Sequence, residues 1–184
     1  MSMPATLYHS AELVRHLPDD GNRYETVHGE LLVTPAPRQP HQAIHRELML
    51  ALGMYLKSHR IGGLYSSPAD ISWGPDTLVQ PDLFVAAAEE VGLSDGWTEI
   101  RTLHLAIEIL SPASVRADRF TKRRLYQEQQ VATYWIVDID HQQVEVWTPA
   151  ALFPVVERER LTWRHPAATT DCVIELKELF GTSP

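Results

Sequence analysis

One carboxylate stands inside an apolar strand. In TLHLAIEIL (102–110), Leu103, Leu105, Ile107 and Ile109 share one face, while His104, Ala106, Glu108 and Leu110 share the other. Both faces are largely apolar, so the strand is expected to be covered on both sides. An ionised Glu108 there is costly unless it is paired, hydrogen-bonded or bound to a cation. Asp82 is a second acid of this kind, set in VQPDLFVA (79–86), where Pro81 can open the ladder and leave room for a ligand. Lys122 is the third residue of interest. On a helix, Asp118, Lys122, Leu125 and Gln129 form a stripe with Tyr126 beside it, and Arg116, Arg119, Arg123 and Arg124 add a concentrated positive patch.

Each feature also has a plainer reading. Glu108 fits a satisfied buried salt bridge or an exposed strand end, and Pro81-Asp82 is a common turn dipeptide. Asp118 and Lys122 fit an i,i+4 ion pair on a solvated face. His41 and His45 have a spacing that can bring two imidazoles to one metal. No Glu follows His41, so the metalloprotease pattern is absent and capping or packing explains the pair as well. Glu30 and Glu47 are further carboxylates, each weak alone.

Taken together, two strand acids, a nearby lysine and a local basic patch point to metal-assisted phosphodiester cleavage. Carboxylate oxygens suit Mg²⁺, with Mn²⁺ as a substitute. The metal lowers the pKa of a bound water and neutralises charge on the phosphate. A lysine orients the nucleophile, and arginines hold the backbone. No Gly-rich phosphate loop, GxGxxG or GxSxG occurs.

The elements that must position these groups follow from periodicity. RYETVHGELLV (23–33) reads as two strands turning at His28-Gly29, and TPAPRQP (34–40) as a rigid loop. Residues 41–60 read as a helix with Ile44, Leu48, Leu52, Tyr55 and Leu56 on one side, ended by Gly62-Gly63. Residues 64–65, 69–73 and 77–87 are candidate strands, the last interrupted by Pro81 and therefore expected at an edge or bulge. Residues 88–101 read as an exposed connection. A charged helix over 114–130 starts at Ser114 as N-cap. Residues 131–139 and 144–148 form a hairpin, and one or two short strands with a helix near 173–180 end the chain. The mixed order predicts an α/β or α+β sandwich around one central sheet.

YETVHGELL (24–32), His41 opening a helix, VQPDLFVA (79–86), LAIEILSPAS (105–114), the Asp118, Lys122, Tyr126 spacing and VATYWIVDID (131–140) occur in order. This combination resembles the bacterial Uma-two family of restriction-endonuclease-like proteins, within the PD-(D/E)XK nuclease superfamily, over roughly residues 20–180. The resemblance implies a restriction-endonuclease-like core: a mixed sheet flanked by helices, often dimeric. It places Asp82 and Glu108 as the two catalytic, metal-binding acids, with the main-chain carbonyl of Ile109 as a further metal ligand. The superfamily's lysine falls at position 110, which is Leu110 here, so Lys122 is the expected replacement. Acids of the first helix complete some such sites, which brings in Glu47; Glu30 matches the family's Gly-Glu. His41, Asp118 and Tyr126 are accessory candidates.

The chain has 184 residues, 44% hydrophobic and 22% charged, and fits one domain over 1–184. Cys172 is the only cysteine, which excludes a disulfide framework and fits a reducing cytoplasm. No apolar run approaches the roughly 20 residues of a membrane span, and residues 1–20 show no secretory leader. The net charge of −8 argues against a general nucleic-acid coat, because non-specific affinity comes largely from Lys and Arg, but not against a nucleic-acid enzyme. The leading expectation is a cytoplasmic, homodimeric Mg²⁺-dependent DNA endonuclease. The alternatives are a nuclease-derived binding or interaction module without turnover, and a zinc hydrolase built on His41 and His45.

Overall fold

The structure, a computed structural model, describes residues 7–93 and 95–181. The first six residues of the stretch read for a leader lie outside the described residues. A short helix α1 (Ala11–Arg15), capped by Ser10, precedes the hairpin β1 (Arg23–Val27) and β2 (Glu30–Thr34). The turn sits at the expected place: His28 and Gly29 both have positive φ, 51° and 80°. A Cβ on Gly29 would collide with the Tyr8 ring. The sequence reading had no helix before this hairpin.

Helix α2 (Gln39–His59) buries His41, Ile44, Leu48, Leu52, Tyr55 and Leu56, the face that the spacing predicts. Its end differs from expectation. Arg60 is the left-handed cap residue (φ 58°), ahead of Gly62, whose φ is also positive at 52°, and the cap N–H groups reach back to the Leu56 and Lys57 carbonyls.

The strand expected over 77–87 is two strands in two sheets. β3 (Leu64–Ser66), β4 (Ile71–Gly74), β5 (Thr77–Val79) and β6 (Leu83–Ala86) follow in order. β5 belongs to a four-stranded sheet ordered β2-β1-β5-β4, and β6 to a six-stranded sheet. Pro81 therefore lies where the chain crosses between sheets, and β6 is interior rather than at an edge. Proline's missing N–H is tolerated there because no ladder passes through it.

The six-stranded sheet is the mixed centre of the fold, ordered β10-β9-β8-β7-β6-β3. β7 (Leu103–Ile109) pairs antiparallel with β6 and parallel with β8 (Tyr134–Asp138). β9 (Gln143–Trp147) and β10 (Val155–Glu157) continue it as a meander. A separate pair, β11 (Arg160–Trp163) and β12 (Cys172–Glu175), leads into α4 (Leu176–Gly181), the short strands and closing helix that the sequence predicts there, with β10 the additional strand. The strand period of two divides the core. Leu83, Val85, Leu105, Ile107 and Ile109 pack with α2, α4 and the β11–β12 pair. Phe84, Ala86 and Ala106 pack on the other side with the four-stranded sheet and the Leu125–Tyr126 turn; Leu103 joins them rather than the Leu105 face expected of it, at the register shift between Val85 and Ala86. The connection over 88–101 is not wholly exposed: Ile100 is buried, and Trp97 packs edge-on against Phe84.

The helix expected from residue 114 is a π-helical segment over Ala117–Lys122 running into α3 (Arg123–Glu128). Such wide turns are rare and mark functional sites. Ser114 does not cap it; its hydroxyl accepts from the Ser111 N–H. Among the described residues no helix is long and apolar enough to cross a membrane.

Arg60 gives a direct test of the α2 terminus. Only glycine adopts its conformation without steric cost. Arg60→Gly is expected to match or exceed the wild type in urea unfolding, by up to about 1 kcal/mol, whereas the β-branched Arg60→Val loses about 1–2 kcal/mol. The reverse order would refute this termination.

Candidate functional site

Strands β1 and β7, the crossing before β6 and the π-helical segment bring acids to one place. Residue by residue, the antiparallel register Leu83↔Ile107 and Phe84↔Ala106 sets Asp82 opposite Glu108 when carried one step further. The Ile109 N–H donates to Asp82 Oδ2 at 2.8 Å. Asp82 Oδ2 also accepts from His41 Nε2 at 3.1 Å, at the start of α2, and Oδ1 accepts from Arg23 Nη1 at 2.7 Å. His45 Nε2 donates to the Asp82 carbonyl at 3.2 Å. Both histidines of the i,i+4 pair are thus used on Asp82, one on its carboxylate and one on its main chain.

Glu108 lies one layer deeper and is fully buried. Its Oε1 accepts from Lys122 Nζ at 3.0 Å and from the Tyr126 hydroxyl at 2.9 Å. Its Oε2 accepts no hydrogen bond; Arg23 Nη2 stands 3.9 Å away. Lys122 is 1% exposed and also lies 2.8 Å from Glu25 Oε2 and 3.6 Å from Asp118 Oδ1. The reading of Lys122 on a solvated face is therefore wrong: the widened π turn points Asp118 and Lys122 inward together.

Glu25 is the group that sequence reasoning missed. It is fully buried on β1, and its Oε1 accepts from the Gln80 N–H at 2.7 Å. The signal was available. RYETV places an acid amid aromatic and β-branched residues, the same pattern that drew attention to Glu108. Glu30 instead is exposed, and Glu47 pairs with the adjacent Arg46; neither lines the cleft. Leu110 is buried in the core, as an apolar replacement at that position permits.

The arginines of the π-helical segment and α3 are mostly engaged within the protein. Arg119 bonds both Asp138 and Glu145. Arg123 lies over the Trp147 ring at 4.9 Å and bonds Gln127, and Arg124 bonds Glu128. Arg116 is exposed.

Above the buried layer opens a cleft of about 620 Å³. Asp82, Arg23, His41, His45, Ile109 and Ser111 form its floor and wall, while Glu25, Glu108, Asp118 and Lys122 lie beneath. Four carboxylates in this cluster thus face two permanent cations, Arg23 and Lys122. The electrostatics follow from that imbalance. Burial pushes Asp82 up, but the His41 hydrogen bond and the Arg23 charge outweigh it and hold its carboxyl well below the usual range. Burial pushes Glu108 well above the ordinary carboxylate value; Lys122 opposes this, and the charges of Asp118 and Asp82 add to it. Burial raises Asp118 to about 6 against the pull of Lys122. Lys122 is raised above its ordinary value because the charges of Glu108, Glu25 and Asp118 outweigh its desolvation. Among the described residues no three His, Cys, Asp or Glu side chains are grouped as a ready-made metal cage. The donor set still suits a hard cation: excess buried carboxylate, with Glu108 Oε2 unpartnered.

Lys122 should be indispensable to the fold of this layer. Lys122→Met leaves three buried acids without their ammonium, at a cost of about 3–5 kcal/mol. Adding Glu108→Gln should recover part of the loss in urea unfolding. A single-variant change below about 1 kcal/mol would show that the cluster is not held by this ion.

Comparisons with known proteins agree with this architecture. A solved structure described as "a putative nuclease belonging to DUF820 from Anabaena variabilis ATCC 29413" superposes with a TM-score of 0.75 at 24% identity, covering 97% of this chain and 98% of that one. It shows that the fold is shared. No curated protein matches the chain. Residues 11–176 match the Uma2 family, described as "Putative restriction endonuclease". The chain belongs to that family, the one its ordered motifs resemble.

Proposed function

We propose that this protein is a divalent-metal-dependent endonuclease that hydrolyses phosphodiester bonds of DNA, with Mg²⁺ as the ion and Mn²⁺ as a substitute. The observation that carries the reading is Asp82 at the cleft floor set opposite Glu108 of β7, which is buried beneath it, with Lys122 on Glu108. Asp82, Glu108 and the Ile109 carbonyl would hold the ion. When bound, it would supply a water of lowered pKa and neutralise charge on the phosphate.

The chain's own residues divide the remaining work. His41 and the Ile109 N–H orient the Asp82 carboxylate. Lys122 and Tyr126 fix one oxygen of Glu108, leaving the other free to bind a cation. Asp118 and Glu25 keep Lys122 charged and positioned. Ser111 and Ser114 line the cleft and would offer hydroxyl groups to a phosphate, and the exposed Arg116 would contact the backbone. A homodimer is the assembly that the resemblance implies.

A second reading is a nuclease-fold binding module without turnover. It is favoured by the enclosure of Lys122 among three acids and by the internal pairing of Arg119 and Arg124.

Plasmid DNA incubated with Mg²⁺ or Mn²⁺, with and without chelator, separates the two. Asp82→Asn and Glu108→Gln are expected to lower the cleavage rate by more than about 100-fold with the circular dichroism spectrum retained. His41→Asn is expected to lower it by about 10–100-fold, as for an outer-shell partner. Cleavage by Asp82→Asn at the wild-type rate would overturn the assignment; metal-independent binding without any cleavage would establish the second reading.

A further inference from the structure

Arg23, like Lys122, faces three acids, and it alone of the two lines the cleft. Its Nη1 donates to Asp82 Oδ1 at 2.7 Å and to the Gln80 carbonyl at 3.1 Å. Its Nη2 lies 3.9 Å from Glu108 Oε2, and its Nε lies 3.7 Å from Glu25 Oε2. Acids from β1, from the crossing before β6 and from β7 thus converge on one guanidinium. Only the Asp82 contact is a hydrogen bond: Arg23 Nε and Glu108 Oε2 are both buried polar atoms without one. Bonded to Asp82 and Gln80 in this position, the guanidinium leaves Glu25 Oε2 and Glu108 Oε2 without a hydrogen bond from it.

We infer that Arg23 is a built-in counter-ion standing in for the divalent cation between Asp82 and Glu108, and that cation binding requires it to swing away into the cleft. The inference rests on the proposal that these two acids hold the ion. Two general principles and one observation on the geometry carry it. A divalent ion binds carboxylate oxygens at about 2.0–2.6 Å, closer than the guanidinium can come, and carries twice the charge. Coulomb attraction scales with charge over distance, so the ion wins Asp82 and Glu108 when present. Arg23 also has somewhere to go: it lines the cleft with its side chain 18% exposed, so a long flexible stem can carry the charge outward without crossing the core. Once released, the guanidinium stands on the side from which a phosphate would approach, where its planar donors suit phosphate oxygens. Arg23 would thereby couple metal loading to substrate contact, stabilising the acids in the metal-free protein and becoming available once the ion is in place.

The test is Mn²⁺ affinity, measured by isothermal titration calorimetry without DNA. Arg23→Met removes the competing charge and keeps most of the stem. It is expected to bind Mn²⁺ at least about tenfold more tightly than the wild type, and to melt at a lower temperature than wild type without metal but not with saturating Mn²⁺. Arg23→Lys keeps the charge and should stay within about threefold of wild type. If Arg23→Met proves unstable, the Arg23 Nε–H resonance of the wild type is followed during Mg²⁺ titration; it should shift in the wild type and stay fixed in Asp82→Asn. Unchanged or weaker Mn²⁺ binding by Arg23→Met, or an unmoved Nε–H signal in a wild type that binds the ion through Asp82, overturns the counter-ion role and leaves the metal site standing. Absence of Mn²⁺ binding by wild type and Arg23→Met alike overturns both.

Discussion

Buried carboxylates repel one another, and this protein places four of them, Glu25, Asp82, Glu108 and Asp118, within reach of two cations. Taking such charges out of water is favourable only when opposite charge and hydrogen bonds replace the lost solvation. Lys122 supplies that from below and Arg23 from above. The surrounding elements can be understood as the means of holding those two cations: β1 carries Arg23 beside Glu25, and the π-helical segment turns Lys122 and Asp118 inward.

The fold supplies rigidity where the charges need it. β7 is central in the mixed sheet, covered on one face by α2 and on the other by the four-stranded sheet and α3. Glu108 therefore has no route to solvent of its own, and access to the cluster runs past Asp82 and Arg23 in the cleft. The crossing at Pro81 is what makes this arrangement. By passing from one sheet to the other just before Asp82, the chain brings β5 next to β1 and β6 next to β7 within a few residues. One short segment thereby joins the acid of the lower sheet to the acid of the upper one.

Much of this was legible in the sequence, for physical reasons that can be named. A carboxylate amid alternating apolar residues has few stable fates, which is why Glu108 and Asp82 stood out; Glu108 lies on β7 and Asp82 immediately before its partner β6. The helical spacing of Asp118, Lys122 and Tyr126 placed them on one side, although the turn that carries them is wider than an α-helix. Glu25 and Arg23 were missed, although RYETV carries the pattern seen around Glu108, because a five-residue hairpin strand reads as two-faced and exposed, and the β5 strand that pairs with it comes from far along the chain. Glu30, beside the conspicuous Gly29 at the start of β2, drew attention away from Glu25. The left-handed Arg60 has no sequence signature, since a glycine pair two residues later offers the same function. The internal pairing of Arg119 with Asp138 and Glu145 depends on a hairpin about twenty residues away and could not be read from a run of basic residues.

The most direct measurement of the central claim is anomalous diffraction from crystals soaked in Mn²⁺. The account predicts one strong peak between the carboxylates of Asp82 and Glu108, with the Arg23 guanidinium turned off Asp82 toward the cleft. A peak at another site, or full-occupancy Mn²⁺ with Arg23 still bonded to Asp82 Oδ1, would contradict it.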